Sequence, residues 1–558
     1  MGSRYEIHLS AGGGGSGPPP PGSVDHFAPK YLIGNIPNGD DAVPYNTAGF
    51  MYIPDPGDGM GIALALTQPN GPGDLWIRPG TYNFNLGAVV SPLAIPPSVR
   101  VYGSGDTTIV IGRSTLNQGI FTLSTLSQLR EMRLLVLASD AGSLGSDAMV
   151  RVSGQGAILQ NLQVVLTTAI GGQLREGIRF DTPFTSLASD MLNVGVSVAT
   201  LTGGASPTRC IAILNNAFTF ARHVQTLGGD EGVYSEQGIF VCKDLLAIGW
   251  SLFGIRHVGN GGAVRIDEAL SQAGFGSVGG FCISLEGTGE HVLRSVAVQN
   301  NGSAGSRGIS VVPLLGDLIS PVEIDDCEIS SVAIGIQLGD PLAGYVSDIS
   351  VVNTAILNAF EYGIVIGNTL SSLCHLKGNR VETFITGAFG GGGVWVQGLR
   401  HEVEGNHVTH NNPNLNSQAV LLECTRTTFR GNTIEFSDAI GLVGIDVRLA
   451  IGDNEFTSSF AAGASTSILL KDGADHSTVG DNTIQQLSDG GGTPAITIDA
   501  SLCTIGDNTI EVTLGAPVAP GILLNGDNNT CVANVVEGST APVSNVGVGN
   551  EVAHNVGV

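Results

Sequence analysis

From residue 308 onward one local pattern keeps returning: a small residue, then apolar, variable, apolar. It reads Gly308-Ile309-Ser310-Val311, Gly335-Ile336-Gln337-Leu338, Gly363-Ile364-Val365-Ile366, Gly393-Val394-Trp395-Val396, Ala419-Val420-Leu421-Leu422, Gly444-Ile445-Asp446-Val447, Ser467-Ile468-Leu469-Leu470, Ala495-Ile496-Thr497-Ile498 and Gly521-Ile522-Leu523-Leu524. Strand side chains alternate in direction, so the first apolar residue of each unit belongs to one inward row. The steps between units are 27, 28, 30, 26, 25, 23, 28 and 26 residues. A near-constant interval of this size marks a solenoid.

A second marker keeps the same period. Asn379, Asn406, Asn432, Asn454, Asn482 and Asn508 each stand in a Gly-Asn-x-Val/Ile or Gly-Asp-Asn-x-Ile/Phe context. Two residues past each one, Val381, Val408, Ile434, Phe456, Ile484 and Ile510 supply a second inward row. Two phases of one period define two sides of a coil. The expected fold is therefore an all-β, right-handed, single-stranded parallel β-helix of about 22–31 residues per coil, with the asparagines stacked at one corner. A sandwich would instead need hairpins and turn signals every 8–12 residues or so. Upstream, Leu129, Leu159, Met191, Leu293 and Ile324 mark looser coils, with loops such as 202–207 between them.

The amino-terminal part reads differently. Residues 1–22 hold Gly12 to Gly15 and Pro18 to Pro21, a flexible piece joined to a stiff one that suits a docking arm. Residues 23–58 are turn-rich and irregular, an attachment region, and the β-helix with its cap is assigned to 59–558. Gly61 to Leu66 reads as a short capping helix. It is followed by Asp74-Leu75-Trp76-Ile77-Arg78-Pro79-Gly80-Thr81-Tyr82, and later by Arg100-Val101-Tyr102-Gly103-Ser104-Gly105 before Thr107-Thr108-Ile109. This order resembles the opening of the pectate-lyase-like β-helix superfamily, which includes bacteriophage tailspikes and extracellular polysaccharide lyases, hydrolases and epimerases. The resemblance implies a virion appendage that contacts host cell-surface polysaccharide, docks on other virion proteins through its arm and assembles as a homotrimer. A polysaccharide lyase or glycoside hydrolase, and a non-catalytic decoration protein, are the alternatives.

Composition narrows the partners. Of 558 residues, 24 are Lys or Arg and 49 Asp or Glu, a net charge of −25, which disfavours nucleic acid and anionic membrane. The 8 cysteines are scattered singly, without zinc spacing. No apolar run is long enough to span a bilayer, and Met1 to Ser10 lacks a signal-peptide core. A virion location follows as the expectation.

Candidate chemistry lies on the outward rows. Val365, Trp395 and Leu421 would form an exposed apolar patch, suited to a subunit interface, a sugar-stacking platform, or cover by a loop. A neighbouring row, Gln397, Glu423, Arg448, Lys471 and Asp499, reads as an ion-pair ladder. Arg380, Glu382, His407 and Glu435 converge on adjacent coils, and Asp325, Asp326 and Glu328 form the densest acidic cluster, with Asp348 a coil later. Either pair of carboxylates suits acid/base cleavage of a glycosidic bond. No cofactor is expected; Ca²⁺ is the one ion such acids could take, and no motif supports it.

Overall fold

The structure, a computed structural model, describes residues 31–35, 51–67, 74–86, 89, 92–112, 119–136, 147–167, 174–182, 187–199, 207–274, 280–300, 302–340, 342, 344–384, 391–411, 417–437, 439–459, 466–487, 493–513 and 519–557. The 1–22 arm, most of the 23–58 region and most of the 202–207 loop lie outside them. Every strand pairing whose register is described is parallel, and the fold is a right-handed parallel β-helix. The chain divides into two units, Met1–Trp250 and Ser251–Val558.

In the first unit, Tyr31–Asn35 pairs with both Met51–Asp55 and Leu75–Ile77, so two strands of the 23–58 stretch join the sheet. The one helix among the described residues, Met60–Leu66, buries Gly61, Ile62, Ala65 and Leu66. Its approach is fixed by Asp55, whose buried carboxylate accepts the amides of Gly57, Asp58 and Gly59 on Oδ1 and of Gly61 and Ile62 on Oδ2. Burial pushes this carboxyl up and the converging amides pull it down. Further along, Leu129, Leu159, Met191, Ala221 and Cys242 stand in one parallel register. Each of these strands bends at a residue in the left-handed region: Glu131, Asn161, Asn193, His223 and Asp244, with φ from 51° to 62°.

The second unit carries three sheets. One inward row runs Ile283, Ile309, Ile336, Ile364, Val394, Val420, Leu442, Ile468, Ile496 and Ile522. A second runs Ile356, Val381, Val408, Ile434, Phe456, Ile484, Ile510 and Val536. The third is Leu376, Val403, Phe429, Ile451, Val479, Ile505 and Cys531. The small residue of the repeating marker now has a cause: a Cβ on Gly363 would lie 2.1 Å from Val381 Cγ1, and one on Gly393 2.4 Å from Val408 Cγ1. The first two rows meet there too closely for a larger side chain.

One register differs from the sequence expectation. Val420 pairs with Leu442, not Ile445, so Val443 takes the outward place expected for Asp446, and Leu442 is fully buried. With the frame moved by three residues, Ile445 rather than Arg448 follows Glu423. Arg448 stands instead at a corner, with φ 63°.

Candidate functional site

The asparagine corner is built from two adjacent residues. The first takes left-handed φ, from 51° to 65°, at Asn353, Gly378, Gly405, Gly431, Asp453, Asp481, Asp507, Ala533 and His554. That region costs an L-residue roughly 1–2 kcal/mol, which is why Gly and Asp dominate. The second turns its amide inward. Asn379, Asn406, Asn432, Asn454, Asn482 and Asn508 each pass an Nδ2–H to the Oδ1 of the next, and the same Oδ1 takes the preceding backbone N–H. The column continues through Asn534 to Asn555, and starts from the Thr354 amide. These groups are buried and satisfied, so the column is structural.

A second corner performs the same service with mixed chemistry. His401 Nδ1 accepts the Cys374 amide at 3.3 Å while its Nε2–H donates to Gln397 O at 2.9 Å. His291 does likewise between Val264 N–H and Gly287 O. Burial pulls His401 down to about 4 and lowers His291. His410, between Thr383 Oγ1 and Ser417 Oγ, is also pulled down to about 4 by burial. These are neutral structural imidazoles, not acid/base groups.

The acidic cluster is dispersed by strand geometry. Asp325 points outward from its strand; Asp326, at φ 52°, occupies the corner and accepts Ser295 Oγ–H at 3.1 Å. Glu328 lies past the corner on a different face, in register with Ala297 and Ala355. A groove of about 440 Å³ runs beside Asp325, lined by Glu290, Glu323, Asp348, Ser350 and Val352 among others. It exists because Ser350 and Val352 are short, whereas the next coil places His375 and Lys377 at those positions. Two of its carboxylates are neutralised: Glu290 by Arg265 at 2.7 Å and Glu323 by Arg294 at 2.8 Å. Asp325 has a long contact from Asn353 Nδ2, 3.5 Å.

Arg380 and His407 are in register, and Glu382 and Glu435 flank Thr409 on the neighbouring row. The two carboxylates thus stand two coils apart, roughly 10 Å at the backbone. Arg380 pairs with Glu382 and His407 with Glu435 at 3.4 Å, all on a solvated sheet face. The groups are brought onto one solvated face, each carboxylate beside a cationic or imidazole partner.

The apolar patch is narrower than expected. Val365 is only 5% exposed, and Trp395 and Leu421 are half-buried. Trp395 Nε1–H donates to Glu423 at 3.0 Å, and its ring packs 5.6 Å from Tyr362. Tyr362 belongs to a row the sequence reading missed, two residues before each inward Ile: Phe253, Phe281, Arg307, Ile334 and Tyr362. Phe253 and Phe281 stack at 5.3 Å, with Arg256 over the first and Arg307 over the second. The column two positions before the marker carries the signal that would have found it. A buried network in the first unit was missed as well: Arg209 pairs with Glu231 at 2.6 Å and Glu176 at 3.4 Å, lies over the Tyr234 ring at 3.5 Å, and Arg179 holds Glu176. Irregular loop lengths hide its period.

Among the described residues the eight cysteines are free and buried, their thiols pushed up by burial, Cys210 to about 12. No group of three or more His, Cys, Asp or Glu among those residues is arranged to hold a metal ion. No helix there is long and apolar enough to cross a membrane.

No protein-family model matches the chain, and no curated protein matches it either. Among solved structures it aligns with tailspike protein 3 of bacteriophage CBA120 at 9% identity and TM-score 0.26, covering 88% of this chain and 58% of that one. The chain thus spans little more than half of that tailspike. It also aligns with a PL6 family alginate lyase, AlyGC, at 9% identity and TM-score 0.32, over 89% and 99% of the two chains. The amino-terminal fragment of bacteriophage Phi29 gene product 12 gives 10% identity and TM-score 0.33 over 86% and 88%. At such scores none of these superpositions assigns a counterpart to any side chain described above.

Proposed function

We propose that the chain is a virion surface protein, a tailspike-like appendage that contacts host glycan through the outward faces of its β-helix and docks through its amino-terminal arm. The observation that carries the glycan contact is the aromatic row of the second unit. Phe253 and Phe281 on adjacent coils, and Tyr362, three coils beyond Phe281, with Trp395, present half-exposed ring faces, with Arg256 and Arg307 beside the first pair. Ring faces beside guanidinium groups suit sugar rings, whose apolar faces stack and whose hydroxyls accept hydrogen bonds. The virion role is supported by the Gly/Pro arm, and a homotrimer by the apolar character of Trp395 and Leu421.

A second reading, polysaccharide cleavage, is favoured by the groove beside Asp325 and Asp348, neither of which is held in an ion pair among the described residues. Carboxylates in an open groove can serve as acid and base for a glycosidic bond. Incubation with capsular and lipopolysaccharide preparations separates the two. Retention of polysaccharide without new reducing ends or unsaturated uronates supports a binder; their release supports the enzyme; neither retention nor release overturns the glycan reading altogether.

A further inference from the structure

Three consecutive coils place an arginine at the same corner. Arg400, Arg426 and Arg448 have φ of 59°, 58° and 63°, and their amides donate in sequence to Thr425 O, Val447 O and Asp475 O, so the corners stack one coil apart. All three side chains are exposed. Several arginines among the described residues are spent on carboxylates: Arg100 on Asp74, Arg151 on Asp181, Arg256 on Glu286, Arg430 on Glu402 and Glu404. The corner arginines, by contrast, make no side-chain hydrogen bond or ion pair with any described residue. Arg has no local reason to prefer left-handed backbone, unlike Asn or Asp. The result is an unpaired cationic stripe on a molecule of net charge −25.

From this stripe, and resting on the glycan-contacting reading above, we infer that the host glycan is an acidic polysaccharide, bound along the Arg400–Arg426–Arg448 corner by its carboxylates. The three corners stack along the coil axis about 4.8 Å apart at the backbone, a row of cation-bearing positions that fits an extended chain better than a point anion. Planar guanidinium forks match carboxylates bidentately. On the strand that follows the corner, Arg426 is flanked by Thr428 and Arg448 by Ala450, both uncharged, while Arg400 is flanked by Glu402, whose carboxylate is already held by Arg430 at 3.3 Å. Nucleic acid fits worse: its phosphates are far denser along the chain, so the acidic body repels it more strongly within the roughly 8 Å that salt leaves unscreened.

The test uses the full chain with polygalacturonate, the same polymer fully methyl-esterified, and dextran, measured by titration calorimetry at low and physiological salt. Two variants are compared, R400E/R426E/R448E and R400G/R426G/R448G; glycine keeps the left-handed corner and so guards against misfolding. The expected result is binding of polygalacturonate that weakens with salt, falls about tenfold or more in both variants, and is absent for the ester. Equal binding of acid and ester, or binding untouched by both variants, overturns the inference and leaves the glycan reading standing. No binding of any of the three polymers overturns the inference, while the glycan reading falls only if capsular and lipopolysaccharide preparations are not retained or cleaved either. A drop in assembled mass by light scattering in the variants, with glycan binding unchanged, overturns it in favour of a contact with an acidic protein surface.

Discussion

Asn432 Oδ1 receives both the backbone N–H and the side-chain amide of Asn406, each at 2.9 Å. Its own Nδ2 donates to Val403 O and to Asn454 Oδ1, both at 3.0 Å. One residue therefore completes the polar needs of three successive coils.

Replacing it with alanine leaves two buried donors and one carbonyl without partners, each costing about 1–3 kcal/mol. N432A is expected to lose about 3 kcal/mol or more in chemical denaturation, with faster hydrogen exchange confined to the neighbouring coils. N432D should lose more at neutral pH, because a buried carboxylate then faces two acceptors, and should recover partly as pH falls and the acid gains a donor.

Ala533 holds φ 56° where most of its equivalents are Gly or Asp. A533G removes the steric cost and adds chain entropy to the unfolded state, so a net gain of roughly 0.5–1 kcal/mol is expected. D481V, at φ 57°, should cost more than that gain. Thermal melting of the pair, with opposite signs, checks the corner assignment.

The buried imidazoles set an acid limit. His401 and His410 ionise near 4 in the fold against an ordinary 6.5. Their neutral forms are favoured by folding, so stability is unaffected by them above about pH 6.5 and falls as pH drops toward 4, by up to roughly 3 kcal/mol each. Protonated His401 would also turn a second N–H against the Cys374 amide. The melting temperature measured from pH 7 to 4 should decline, and H401N, which can still accept that amide, should flatten the decline.

Trp395 distinguishes assembly from glycan contact. W395D removes the packing against Tyr362 and sets a second carboxylate near Glu423. If the half-buried face joins subunits, light scattering should report a smaller particle. If it stacks sugar, mass should hold while polysaccharide retention is lost.

The repeating frame was legible because the inward rows and the corner asparagines carry the same period independently. Where two frames fit, as in Gly441-Leu442-Val443-Gly444-Ile445, the local pattern alone could not choose. The asparagines could have: Asn432 to Asn454 is a short step of 22 residues, and Val420 to Leu442 is equally short. Asn534 and Asn555 escaped notice because Ala533 and His554 replace the usual Gly or Asp before them. The site was less readable. Asp325, Asp326 and Glu328 are neighbours in sequence, but alternation and a corner send them in three directions. Half-exposed Phe253 and Phe281 were hidden because one outward column was read and the adjoining one was not.

The corner amides also make length an editable property. Each contact joins equivalent positions of successive turns, so removing residues 483–508 would bring Asn482 directly beneath Asn534, with an acceptor for every donor it now has. The chain would close over the excision with Thr509 following Asn482 as Thr483 does now. A molecule joined in this way can gain or lose whole turns by recombination while its remaining surfaces keep their spacing.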